Sequence, residues 1–143
     1  MELNKLKLKF QNGKMSKPDF ISEMHKLHQR LFEYAEFIKQ TDIAKIEITD
    51  NRVIFTSRNN IKMITDKLDT RSAPIEILNF ATFEKNDFPM LLKLTDDSNV
   101  FFDIGASIGW VTINVAKTKK HVTVYSFEPI PKTFAYLKEN IKI

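Results

Sequence analysis

A chain of 143 residues, 43% apolar and 28% charged, is the size of one domain and has enough apolar content to bury a core. It has no cysteine, which excludes disulfides, thiolate metal sites and a cysteine nucleophile and fits a reducing, cytoplasmic setting. Its net charge of +4 sits in residues 1–17, where Lys5, Lys7, Lys9, Lys14 and Lys17 face only Glu2, leaving 17 of the 22 basic and 17 of the 18 acidic side chains to the rest.

Residues 1–17 therefore read as a solvated basic leader. No aromatic platform accompanies the lysines, so nucleic acid is not an expected partner. The alternating charges leave no apolar core of signal-peptide length. Nor is a membrane expected: the nearest candidate span, 100–116, is interrupted by Asp103, Ser107, Thr112 and Asn114 and is shorter than the roughly 20 residues a bilayer requires.

Ser16-Lys-Pro-Asp19 has the form of a helix start, with Ser16 as N-cap and Pro18 in the first turn. Phe20, Met24, Leu27, Leu31, Ala35 and Ile38 then recur every three or four residues, which predicts an amphipathic helix to about Gln40. The stripe needs a partner surface, either in this chain or in a second subunit. His25 and His28 share this helix, but no acidic third ligand accompanies them, and a solvent-facing pair is the simpler reading.

Residues 45–49 and 52–56 flank Asp50-Asn51 and predict a β-hairpin. Residues 61–64 and 74–80 are expected to add strands to it. A helix is expected over 84–94, starting near Asp87 or kinked at Pro89, with Asp96-Asp97-Ser98 as its stop. From there the period is βαβα: a strand over 99–103, a glycine turn, a helix over about 109–118, a strand over 121–127 and a helix over about 131–141, with Pro131 suited to its first turn. His121, opening the second strand, reads as structural. Phe101 and Phe102, on opposite faces of the first strand, suggest a sheet covered on both sides.

The turn Asp103-Ile-Gly-Ala-Ser-Ile-Gly-Trp110 holds two of the three glycines. Glycine lets bare backbone approach a ligand beyond a strand end, where doubly wound sheets bind nucleosides. A dinucleotide fingerprint needs G-x-G-x-x-G, whose middle glycine admits a pyrophosphate. Here the pattern is D-x-G-x-x-x-G, which suits S-adenosylmethionine, a ligand without phosphate. Glu128, at the end of the second strand and followed by Pro129, offers two carboxylate oxygens to the ribose hydroxyls. Two other readings stay open: a nicotinamide or other nucleotide-dependent enzyme, and a non-catalytic Rossmann-like module serving as an assembly surface.

With Phe127-Glu-Pro-Ile-Pro131, Leu137-Lys-Glu-Asn140 and the preceding Thr82-Phe-Glu84, residues 80–143 resemble the first half of an FkbM-type S-adenosylmethionine-dependent methyltransferase. That family's pattern is D-[IV]-G-A-N-x-G, then F-E-P-x-P, then L-x-x-N-[IV]. Ser107 stands where asparagine is usual. The resemblance implies an α/β, Rossmann-like class I methyltransferase fold, present only in part, behind a helical and β-hairpin N-terminal extension over 1–79. Asp103, Gly105, Ala106, Ser107, Gly109 and Trp110 would surround the methionine end of the cofactor, and Glu128 and Pro129 the ribose. It also implies methyl transfer to a hydroxyl of a small-molecule or carbohydrate acceptor. Such a sheet usually has about seven strands, so the chain is expected to be an incomplete enzyme, inactive as an isolated 143-residue piece. A homodimer through the extension is a further expectation.

Overall fold

The computed structural model describes residues 1–97 and 99–143, which form an α/β structure of two compact units, Met1–Phe37 and Ile38–Ile143. No helix among the described residues is long and apolar enough to cross a membrane.

The first unit is a helical hairpin, α1 (Glu2–Gln11) and α2 (Lys17–Phe37). The leader is thus largely helical, a structure not expected of it, while its side chains are exposed at nearly every position. Leu3, Leu6 and Phe10 recur at helical spacing, and the intervening lysines had masked it. α1 ends in a Schellman arrangement: Lys14 N–H donates to Lys9 O at 2.9 Å and Gly13 N–H to Phe10 O at 3.0 Å, with Gly13 at φ +67°. Phe10 stacks on Phe20 with centroids 4.5 Å apart. α2 begins as predicted, because Ser16 Oγ accepts from Asp19 N–H at 3.3 Å and donates to its carboxylate at 2.6 Å. It gives way to a 3-10 turn, Ile38–Gln40, in the second unit.

The second unit opens with an antiparallel sheet, β1 (Ile43–Ile48), β2 (Val53–Ser57) and β3 (Lys62–Met63), in that spatial order. The hairpin turns at Asp50-Asn51, as expected. Residues 74–80 are not a strand. They lie in helix α3 (Ala73–Phe80), which starts after the extended Ser72 with Pro74 in its first turn. Ala73, Pro74, Ile77 and Leu78 are its buried positions, the last three spaced i, i+3, i+4, so tertiary packing overrides the strand propensity of Ile75 and Ile77. α4 runs Asp87–Leu94, starting at Asp87 rather than kinking at Pro89, and Thr95 Oγ1 caps it on Leu92 O at 2.8 Å. Ser98, the last residue of the expected stop, lies outside the described residues.

The βαβα period follows closely: β4 (Val100–Ile104), α5 (Trp110–Thr118), β5 (Thr123–Phe127) and α6 (Pro131–Asn140). β4 and β5 are parallel and in register from Val100–Thr123 to Ile104–Phe127, so both end at one level.

The core does not respect the expected boundary at 79/80. One buried cluster joins Ile43 and Phe55 of the antiparallel sheet to Ile77 and Leu78 of α3, and another joins Ile61 and Met63 to Ile108 of the glycine turn. Trp110 packs against both. Residues 38–79 are therefore one unit with the βαβα segment, and the helical hairpin Met1–Phe37 is the other.

The two-sided cover expected of the parallel sheet is also corrected. Asp103 is buried on one face, but Val100, Phe102, Ile104, Tyr125 and Phe127 alternate onto the other and are exposed, Phe102 by 59% and Ile104 by 83%. Phe102 stacks on Tyr125 and Phe127 at centroid distances of 5.5 and 6.2 Å. That face carries no covering helix among the described residues.

Candidate functional site at the ends of the parallel strands

The glycine turn is stitched to the end of β5. Gly105 N–H and Ala106 N–H both donate to Phe127 O, at 2.9 and 3.0 Å. Ser107 N–H donates to Glu128 Oε2 at 2.9 Å, while Ile130 N–H donates to Glu128 Oε1 at 2.9 Å. Glu128 thus holds the turn on one side and the entry to α6 on the other. A carboxylate has about four acceptor positions, so two remain for hydroxyl donors of a ligand. Its negative charge also makes the turn a poor phosphate site, because the backbone donor at Ser107 is already paired with an anion.

The two glycines do different work. Gly105 lies at φ +82°, and a Cβ there would meet nothing within 4 Å, so its outer side is open for a ligand to approach. Gly109 lies at φ +98°, and its Cβ would come within 2.7 Å of Leu137 Cδ1 of α6. Close helix packing, rather than access to a ligand, therefore accounts for Gly109. Ser107, where the resembled pattern has asparagine, lies at φ +50°, a left-handed conformation that asparagine adopts more readily than most residues.

Of the predicted residues, Gly105, Ser107, Glu128 and Pro129 gather at the accessible strand ends, whereas Asp103, Ala106 and Gly109 are buried. The Asp103 carboxylate accepts a short hydrogen bond from Thr112 Oγ1, which also meets Ser126 Oγ at 2.7 Å. Trp110 turns inward, edge-on to Phe83 at 6.0 Å. Its buried indole N–H has no hydrogen-bond partner among the described residues, and the ring is held by packing.

A cleft of about 290 Å³, lined among others by Thr82, Phe83, Glu84, Phe88, Trp110 and Asn114, adjoins this end of α5. Glu84 is the residue the sequence undervalued. It lies at φ +50°, and its carboxyl is held above the ordinary range by burial first and then by the negative charges of Asp87 and Asp103. Its place in Thr82-Phe-Glu84 was visible, but its electrostatic coupling to Asp103, 19 positions away, was not. A larger groove, about 740 Å³, lies elsewhere, between the β1–β2 hairpin and α6, with Phe55, Ile64 and Tyr136 in its lining. The histidines take no part: His25, His28 and His121 are all exposed, and no metal-binding cluster occurs among the described residues.

Asn140 is a further residue whose purpose only the fold explains. Fully buried on α6, its Oδ1 accepts from Ile64 N–H at 2.8 Å, and its Nδ2 donates to Ile64 O at 3.0 Å and Ile108 O at 2.8 Å. It ties α6, the end of β3 and the glycine turn together. Compared with known proteins, the chain matches no family model, no curated protein and no solved structure.

Proposed function

We propose that this chain is the cofactor-binding part of an S-adenosylmethionine-dependent methyltransferase of FkbM type, with a Rossmann-like fold, acting on a hydroxyl of a small-molecule or carbohydrate acceptor. The observation that carries the reading is Glu128: its carboxylate stands at the end of β5, joined to the backbone of the open glycine turn at the end of β4. This arrangement offers acceptors for ribose hydroxyls, and the anion already paired with the Ser107 N–H together with the missing middle glycine supports the reading over a pyrophosphate-bearing nicotinamide cofactor.

S-adenosylmethionine, when bound, supplies an electrophilic sulfonium methyl. Gly105 leaves room for its approach, Ser107 presents its exposed side chain beside it, and Glu128 holds the ribose edge. Asp103 acts from beneath, positioning α5 through Thr112. Calorimetric titration of S-adenosylmethionine and of NAD into the folded chain tests the assignment. Binding of the former alone, weakened at least tenfold by Gly105→Val and by Glu128→Ala, is the expected result. Absence of binding by well-folded protein would instead favour a non-catalytic assembly module, and tighter binding of NAD a nicotinamide enzyme.

A further inference from the structure

Glu84 stands where it lowers stability. Its backbone is left-handed, at φ +50°, in a residue that carries a Cβ, and its carboxyl is raised above the ordinary range by burial and by the charges of Asp87 and Asp103. None of these three carboxylates has an ion-pair partner among the described residues. Local strain and uncompensated charge together are features that a binding site retains although the fold would be more stable without them.

The cleft beside Glu84 has the chemistry to balance that charge from outside. About 290 Å³ in volume, it is walled by Phe83 and Trp110, and both signs of charge line it, Asp42 and Glu84 against Arg58 and Lys85. The guanidinium of Arg58 is engaged elsewhere: Nε donates to Thr41 O at 2.7 Å, and Nη2 to Ile38 O and Lys39 O at 3.3 and 3.0 Å. A carboxylate beside aromatic rings suits an alkylammonium, through its charge and through the ring quadrupole.

We propose that this cleft receives the amino-acid end of S-adenosylmethionine, with the Glu84 carboxylate as the counter-ion of its α-ammonium. The inference rests on the cofactor reading above and extends it from the ribose, at Glu128, to the other end of the ligand. Gly105 connects the two. It follows Asp103 by two residues, and the charge of Asp103 reaches Glu84. The amino-acid end carries one charge of each sign, as the lining of the cleft does, and an ammonium there relieves the repulsion among the three carboxylates.

Calorimetric titration of S-adenosylhomocysteine and of methylthioadenosine into the full chain tests this. Both carry adenosine and a neutral thioether, and only the first has the amino-acid end, so the ratio of their affinities reads that end alone. S-adenosylhomocysteine should bind about tenfold more tightly. Glu84→Gln, which keeps the shape and removes the charge, should cut that ratio to about twofold and leave the affinity for methylthioadenosine unchanged. Trp110 is the one tryptophan of the chain and lines the cleft, so its fluorescence should respond to S-adenosylhomocysteine more strongly than to methylthioadenosine. Equal affinity for the two ligands overturns the inference and leaves the cofactor reading in place. So does an affinity ratio that Glu84→Gln leaves at the parent value, or a loss that it imposes on both ligands alike. Binding of neither ligand by folded protein overturns the cofactor reading, and this inference with it.

Discussion

Glycine at 105 and at 109 looks equivalent in sequence and differs in energy. Both hold left-handed backbone, which costs a residue with a Cβ about 1–2 kcal/mol. At Gly109 an added methyl also drives into Leu137 Cδ1, an overpacking penalty of about 1–3 kcal/mol. Gly109→Ala should therefore lower stability by about 2–5 kcal/mol in urea unfolding, and Gly105→Ala, with the backbone cost alone, by about 1–2 kcal/mol. Glu84 supplies a pH test. Its carboxyl is raised above the ordinary 4.5, so the folded chain binds that proton more tightly than the unfolded chain does. The resulting stabilisation is complete below the unfolded value and is lost as pH rises through the folded one. Glu84→Gln should accordingly be more stable than the parent at pH 7, by less than about 1 kcal/mol because the group is largely solvated, with the gap closing below pH 4.5. Thermal melts across pH 4–8 would show a constant gap if Glu84 did not titrate in this way.

At the scale of elements, local chemistry was enough where cap, period and turn agreed. Ser16 and Asp19 start α2, Asp50-Asn51 turns the hairpin, and Pro131 starts α6. It was insufficient where two periods coincided. Ile75 and Ile77 alternate like a strand, yet Pro74, Ile77 and Leu78 satisfy the helical spacing, and the choice belongs to the core they enter. The lysines of α1 likewise alternate with its leucines and conceal a helix that Phe10 anchors on Phe20. Asn140 was legible as a motif position and mute about its task. Removing its side chain leaves Ile64 N–H, Ile64 O and Ile108 O without their partner in a buried setting. Asn140→Ala should destabilise the chain by about 3 kcal/mol, read from the urea midpoint, while exposed Glu139→Ala should change it by less than about 0.5 kcal/mol.

Over the whole molecule, the antiparallel sheet and the βαβα segment share a core through Trp110, while one face of β4–β5 stays uncovered. Ile104→Lys together with Phe102→Lys should lower stability by no more than about 1–2 kcal/mol, through the lost stacking of Phe102 on Tyr125 and Phe127, and reduce the fluorescence of a bound hydrophobic dye, since both side chains are mostly exposed. A large loss of stability would mean that this face is covered in solution. The sequence by itself determined the order of elements from β4 to α6, the glycine turn and the carboxylate after β5, because strand period, glycine conformation and proline position act over a few residues. Tertiary structure decided the rest. Which glycine packs and which stays open, where the compact units divide, and that Asp103 and Trp110 turn inward all depend on contacts between residues tens of positions apart, whose packing no local pattern encodes.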